Sequence, residues 1–230
     1  ETIEDLLNKK NEMFSHLSHE FRTPLTLILG PLNELLSKPN ENNGIEALSM
    51  IQRNAQRMLT LIEQLLSLAK INDINKTDLI FINTHHQVNS IVESFTFLAK
   101  KHQIKITTVQ NDEAVIQVSE LFMDAVLGNL LSNAIKYSKP HSEVLVKAYV
   151  RNNQFLISVK DSGVGLTEAQ EKLIFKKFER LTDHSHIDGI GIGLSVVKEF
   201  VDKNNGKLEI QSKLGLGCDF IVSVALAKEL

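Results

Sequence analysis

The sequence predicts two domains, an all-α helical hairpin over residues 1–75 and an α/β domain over residues 78–230. Three observations carry this. From Phe14 to Ala69 apolar residues recur at steps of three and four, with almost no β-branched run. From Asp78 onward, alternating strand-like segments and helical segments take turns. With 230 residues, 43% of them hydrophobic, the chain can fill two separate cores.

The first helix is expected from Thr2 to Ser37. Phe14, Leu17, Phe21, Leu25, Ile28, Leu32 and Leu35 fall on one stripe at about 100° per residue. Pro39, Asn40 and Asn43-Gly44 mark a turn. The second helix follows with Ile45, Leu48, Gln52, Ala55, Leu59, Ile62, Leu66 and Ala69, a coiled-coil-like seam. A one-sided apolar stripe of this length needs a partner, so the hairpin is expected to pair into a four-helix bundle as a dimer. The alternative is a monomeric hairpin packed on the second domain.

In the second domain, strands are expected at Leu79–Asn83, Lys105–Val109, Val115–Val118, Glu143–Arg151, Gln154–Asp161, Lys207–Ser212 and Cys218–Ala225. Helices are expected at Gln87–Lys101, Glu120–Tyr137, Glu168–Leu173 and Gly193–Asn204. Residues 143–151 and 154–161 form a hairpin around Asn152-Asn153. Val144, Val146, Ala148 and Val150 alternate in one strand, Phe155, Ile157 and Val159 in the other. Helices should therefore cover one face of the sheet.

A net charge of −3 makes no electrostatic case for nucleic-acid binding. The single cysteine, Cys218, excludes an internal disulfide and fits a reducing compartment. No apolar run approaches the ~20 residues of a membrane span, and no signal peptide is visible. The sequence opens at Glu1 inside a helical pattern without an initiator Met. It is expected to be a fragment, with room upstream for a membrane anchor.

Against Phe14 on the helical wheel, His19 falls near 140°, Thr23 near 180° and Glu20 near 240°, all away from the apolar stripe. His19 is thus either a solvated surface histidine or a placed nucleophile. Glu20 beside it can accept the Nδ1 proton, leaving Nε2 to attack. Thr23 stands one turn on, where its hydroxyl can place a water. Pro24 removes a helical N–H and clashes with the Glu20 carbonyl, a cost of ~3 kcal/mol or more in mid-helix. His16 competes for the same role but lacks a following acid.

On the 120–137 helix, Asn129, Ser132, Asn133 and Lys136 share a narrow polar arc. An amide oxygen suits Mg²⁺, which keeps waters and substrate phosphates as further ligands. Lys136 adds a point charge near the same phosphates. Asp161 is in phase with Phe155, Ile157 and Val159, so its carboxylate faces the apolar side and needs a donor such as the exocyclic amine of adenine. Gly163 and Gly165 follow it in a turn. Gly189, Gly191 and Gly193 lead through Leu194 into a helix whose N-terminal N–H groups suit phosphate. The polar segment 179–188 is a candidate lid, with Lys176, Lys177 and Arg180 beside it to meet phosphate charge. Each feature also has a plain reading, as a polar helix face, a tight turn or surface residues.

Together these residues resemble one family. Ser18-His19-Glu20-Phe21-Arg22-Thr23-Pro24-Leu25 is similar to the H-box of sensor histidine kinases. Asn129-Leu-Leu-Ser-Asn133-Ala-Ile-Lys136-Tyr137 is similar to their N-box, and Asp161-Ser-Gly-Val-Gly165 to their first glycine box. Phe175-Lys-Lys-Phe178 resembles the F-box, Gly189-Ile-Gly-Ile-Gly-Leu194 the second glycine box and Gly215-Leu-Gly-Cys-Asp-Phe220 a late glycine motif. They follow the family's order over nearly the whole chain. More weakly, Met13–Leu36 resembles hybrid two-component sensors of gut Bacteroidetes. Cys218 departs from the pattern, standing where Thr or Ser is commoner.

The resemblance implies a dimerisation and histidine-phosphotransfer hairpin followed by an α/β sandwich of the Bergerat ATPase type. It implies ATP and Mg²⁺, with His19 as phosphoacceptor, Glu20 as its acidic helper and Thr23 for dephosphorylating the partner. It implies Asn133 as the main Mg²⁺ ligand, Asn129 and Lys136 near the phosphates, and Asp161 on adenine. Tyr137, Gly163, Gly165, Arg180, Gly189, Gly191, Gly193 and Leu194 complete the expected nucleotide site. The implied partners are a second copy of the chain, through residues 1–75, and the aspartate of a response-regulator receiver domain. The implied location is the cytoplasmic portion of a membrane-bound sensor. Two other readings compete. A Bergerat-type ATPase that moves clients lacks an upstream His-Glu with a following Pro. A nucleotide-binding dimeric scaffold without kinase activity would bind Mg-ATP and transfer no label.

Overall fold

The computed structural model describes residues 3–37, 44–72, 79–175 and 191–227. It divides into two compact units, Glu1–Leu66 and Ser67–Leu230.

The first unit is built on helix α1 (Ile3–Ser37) and most of α2 (Gly44–Asn72), whose last residues belong to the second unit. α1 continues through both Pro24 and Pro31. Leu17, Pro24 and Leu61 are buried, and Arg57 of α2 pairs with Glu20 of α1. The face of α2 turned inward carries Met50, Ile51, Asn54, Met58, Leu61 and Leu65, all buried or half-buried. This differs from the seam expected from spacing. Leu48, Leu59 and Leu66 of that seam are 58%, 48% and 55% exposed, and Ile45 and Ile62 are exposed with them. On α1, Leu25, Leu29, Leu32 and Leu36 are likewise exposed, while Pro24, Ile28, Pro31 and Leu35 are covered. Each helix therefore has two adjacent apolar stripes. In an antiparallel hairpin a one-residue offset, about 100°, turns both outer stripes to the same side. The outcome is one continuous apolar face.

The second unit contains β1 (Leu79–Asn83), α3 (Thr84–Lys101), β2 (Lys105–Gln110), β3 (Val115–Ser119), α4 (Phe122–Tyr137), β4 (Glu143–Arg151) and β5 (Gln154–Lys160). After these come α5 (Glu168–Glu171), α6 (Gly193–Lys203), β6 (Lys207–Lys213) and β7 (Gly217–Ala225). The main sheet has the order β2-β4-β5-β7-β6. It is mixed: β2 and β4 are parallel and the other pairs antiparallel. β1 and β3 form a small antiparallel pair, tied to the end of β7 through Ile116 and Leu226.

Register places the core. Val146, Val159 and Phe220 lie side by side across three strands, as do Ala148, Ile157 and Val222, and all six are buried. α4 covers this face with Phe122, Met123, Val126, Leu127, Leu130 and Leu131, flanked by α3 and α6. The period-2 strands and the nearly all-apolar helix thus meet as expected from their patterns.

Local chemistry sets the element ends. Asn83 caps α3 by accepting from the His86 N–H at 3.2 Å, so the helix starts three residues before Gln87. α3 ends with Gln103 at φ 59° and a bond from Ile104 N–H to the Ala99 carbonyl at 2.8 Å. α6 ends the same way, with Asn205 at φ 54° and Gly206 N–H on the Val201 carbonyl at 2.8 Å. Asn152 and Asn153, both at positive φ, turn the β4–β5 hairpin.

Candidate nucleotide site and phosphoacceptor histidine

In the helical unit, His19 is exposed on α1, and its ring makes no hydrogen bond to any of the described residues. Glu20 is half-buried. Its Oε2 lies 3.6 Å from Nη2 of Arg57, each side chain about a quarter exposed. The acid therefore faces a guanidinium on α2, whereas the sequence pointed to the neighbouring imidazole. Spacing along one helix cannot show a partner on another. Thr23 is exposed, and its hydroxyl donates to the His19 carbonyl at 3.3 Å. That carbonyl is one turn back, the usual acceptor for a helical threonine. The His16 side chain lies outside the described residues.

In the α/β unit the site is built on α4. Its polar arc is narrow because the rest of its circumference is buried in the core. Asn129 and Asn133, one turn apart, are half-buried on that arc. The Asn129 amide donates to the Ala125 carbonyl at 2.6 Å, which directs its Oδ1 outward from the helix. That oxygen would lie 2.9 Å from a Cβ at Gly193, and Asn133 Nδ2 would lie 3.9 Å from it. A side chain at 193 would push the Asn129 amide aside, so glycine here keeps the start of α6 against the two asparagines. Gly191 at φ 75° and the buried Ile192 bring the chain into α6, and Leu194 is half-buried in its first turn. The Asn129 amide oxygen, the Asn133 amide group and the helix-terminal N–H groups thus converge at one place, a set that suits a metal-bound polyphosphate. Among the described residues no three His, Cys, Asp or Glu side chains converge to hold a metal. A divalent cation here would rely on amide oxygen, water and phosphate, which fits Mg²⁺.

Asp161 lies beyond the other end of the polar arc. Tyr137 closes α4, and Ser138 then pairs with Gly163. A Cβ on Gly163 would sit 2.5 Å from the Tyr137 carbonyl, so this approach also requires glycine. Lys136 and Tyr137 are half-buried, with the Lys136 ammonium 5.1 Å from the Tyr137 ring centre. Asp161 is 5% exposed. Its Oδ1 accepts from the Gly163 N–H at 2.8 Å and the Cys218 N–H at 3.2 Å. Burial holds the carboxyl above the usual carboxylate range, against the pull of these two bonds; Asp219 nearby adds to the rise. Both bonds reach the same oxygen, so Oδ2 is left for a donor from outside the described residues. An open oxygen on an otherwise buried carboxyl suits the exocyclic amine of a base.

Gly165, at φ 66°, lies against the end of β6, where a Cβ would meet the Lys213 carbonyl at 2.0 Å. Arg180, Gly189, Lys176, Lys177, Phe178 and the candidate lid 179–188 fall outside the described residues. The structure adds three participants. Arg57 meets Glu20, the backbone of Cys218 meets Asp161, and Ser212 meets both Leu166 and Cys218. Cys218 was legible only as a departure from a motif, and the other two carry no spacing signal.

Comparison with known proteins agrees with this geometry. Residues 9–74 match the model of the His Kinase A (phospho-acceptor) domain. Residues 118–228 match that of the histidine kinase-, DNA gyrase B- and HSP90-like ATPases. The sensor histidine kinase TmoS of Ectopseudomonas mendocina is 32% identical over 235 residues, which cover 98% of this chain and 24% of TmoS. The chain thus spans about a quarter of that relative's length. Among solved structures, Acinetobacter baumannii histidine kinase AdeS superposes with a TM-score of 0.72 at 18% identity, covering 91% of this chain and 98% of AdeS. Histidine kinase ThkA, in complex with response regulator protein TrrA, gives a TM-score of 0.76 at 19% identity and covers 97% of this chain and 64% of ThkA. Two domain models in the expected order take in most of the chain, and the likenesses run through both units. The chain belongs to the sensor histidine kinase family and carries its catalytic core, a phosphoacceptor hairpin followed by an ATPase-type domain.

Proposed function

We propose that this chain is an ATP-dependent protein-histidine kinase that phosphorylates its own His19 and passes the phosphoryl group to an aspartate of a response-regulator receiver domain. The observation that carries the reading is the convergence of Asn129, Asn133 and the Gly193 helix start on one side of α4, with the Asp161 carboxylate at the other end. That arrangement has a phosphate end and a base end. Residues 78–230 form the ATP-binding domain. Asp161 takes the adenine amine. Asn129, Lys136 and the glycines Gly189, Gly191 and Gly193, with Leu194, stand at the phosphates, and Arg180 adds charge. Gly163, Gly165 and Tyr137 shape the base end. Asn133 is the Mg²⁺ ligand, and the ion neutralises phosphate charge when bound.

Residues 1–75 form the dimerisation and phosphotransfer domain. The exposed His19 Nε2 attacks the γ-phosphorus in line, and the ADP oxygen leaves. For the transfer step Glu20 turns from Arg57 to the ring and stabilises its developing positive charge, a contribution of about 10²–10⁴-fold for general-base assistance of this type. Phosphoryl transfer asks mainly for positioning and charge neutralisation, which these residues supply. Thr23 places a water for dephosphorylating the partner. The outer apolar face of the hairpin supports a homodimer, and the complex of ThkA with TrrA supports a receiver domain as the second partner. In this reading the chain is the cytoplasmic portion of a membrane-bound sensor, which its likeness to sensor histidine kinases supports. No described helix is long and apolar enough to cross a membrane.

Incubation with γ-labelled ATP and Mg²⁺ tests the assignment, wild type beside His19→Gln. Label that is lost in acid, survives base and vanishes in the variant is the expected result. Label persisting on His19→Gln, or ATP binding without label in the wild type, overturns it.

A further inference from the structure

The loop after β5 and the turn between β6 and β7 are held together more closely than either strand end requires. The Asp161 N–H donates to the Cys218 carbonyl at 2.8 Å and the Gly215 N–H to the Val164 carbonyl at 2.6 Å. The Cys218 N–H returns to Asp161 Oδ1. Gly217, at φ 90°, leaves no room for a Cβ, which would lie 2.1 Å from the Asp161 carbonyl. A second side chain, Ser212, crosses this junction from β6. Ser212 Oγ accepts from the Leu166 N–H at 2.8 Å and lies 3.2 Å from both the Gly217 carbonyl and Cys218 Sγ.

A hydroxyl has one proton and two lone pairs. Here all three find partners: the proton goes to the Gly217 carbonyl, and the lone pairs take the Leu166 N–H and the Cys218 S–H. The thiol is held as a protonated donor, because burial pushes it up to about 11. With a thiol at 218, the strong hydrogen-bonding hydroxyl of this junction comes from β6. It grips the loop at Leu166, five residues past Asp161, and the turn at Gly217, next to the amide that Asp161 accepts from.

We infer that Ser212 is a positioning residue for base recognition. By tying Leu166 to Gly217 it fixes the Asp161 carboxylate with Oδ1 committed to the chain's own amides and Oδ2 presented to one external N–H donor, the exocyclic amino group of a purine. This rests on the nucleotide-binding reading above. Ser212 touches neither base nor phosphate and acts through Asp161. Loss of its hydroxyl loosens the carboxylate, so the contribution of the amino group falls while phosphate binding stays.

The test compares Mg-ATP with purine riboside triphosphate, which lacks only the 6-amino group, by calorimetry on the 230-residue chain. The wild type is expected to prefer ATP by about tenfold or more, the value of one charge-assisted hydrogen bond. In Ser212→Ala that preference falls toward unity, mainly through weaker ATP binding, and Ser212→Thr restores it. In an Asp161→Asn background, Ser212→Ala changes the ratio no further. If Ser212→Ala does not melt cooperatively, Ser212→Cys, with its weaker acceptor, carries the same expectation in smaller degree. Equal weakening of both nucleotides, or an unchanged ratio, overturns the role of Ser212 and leaves the adenine reading standing. A wild type that binds both equally, or neither, overturns the adenine reading itself and the Ser212 role with it.

Discussion

Replacing Leu59 and Leu66 together with glutamate puts two carboxylates on the outer face of the hairpin in every copy of the chain. Among the described residues nine leucine and isoleucine side chains line that face, and their exposed fractions amount to about five whole side chains per chain. At roughly 2 kcal/mol for each fully buried side chain, covering them is worth about 10 kcal/mol per chain and about 20 for a symmetric pair. Association costs about 4–15 kcal/mol. At the middle of that range about 10 kcal/mol is left, enough for a dimer at micromolar concentration. Leu59 and Leu66 together contribute about one whole side chain of exposed surface. Losing it twice in a two-fold pair removes about 4 kcal/mol, which is about a thousandfold in dissociation constant. The buried carboxylates add several kcal/mol more against assembly. Sedimentation equilibrium over a concentration series reads the effect directly, with circular dichroism to show that the helices persist. The wild type should sediment as a dimer and the double variant as a folded monomer. A wild type that is monomeric at high micromolar concentration, or a variant that stays dimeric, refutes the argument from the outer stripe.

Two further outcomes follow from the base end of the site. Asp161 carries a carboxyl pKa raised above its unfolded value, so its ionised form costs stability at neutral pH, and that cost disappears as pH falls through the folded pKa. Asp161→Asn should therefore leave the nucleotide-free chain as stable or more stable in thermal melts, while weakening ATP binding by about 10–100-fold, the worth of a bond to a charged acceptor. A variant that melts lower and binds ATP unchanged contradicts both halves. Cys218 is the chain's one thiol, and burial pushes it to about 11. Its reaction with a disulfide reagent near pH 8 should be about a hundredfold or more slower than that of a solvated cysteine with pKa ~8.5, and should accelerate as pH rises. Reaction at the solvated rate would show that the thiol is neither buried nor held.

The sequence by itself determined the elements. Phe155, Ile157 and Val159 alternate because a strand with one buried face must, and Phe122 through Ile135 are apolar on nearly every side because α4 lies between the sheet and its flanking helices. Element positions agree to within a few residues, and the differences lie where caps decide, as at Asn83. The polar arc of α4 was legible for the same reason, since asparagines one turn apart on an otherwise apolar helix stand out.

Tertiary structure alone decided which stripe of α2 meets α1. Two apolar stripes sit one residue apart on each helix, and periodicity cannot choose between neighbours separated by about 100°. It also decided the partners: Glu20 with Arg57, Asn129 with Gly193, and Asp161 with Gly163 and Cys218. These pairs join residues on different elements, or, for Asp161 and Gly163, depend on the path of a turn. Ser212 is the clearest case. On its strand it is one more polar residue of an exposed edge, and only the approach of the β5 loop to the β6–β7 turn gives its hydroxyl three partners at once.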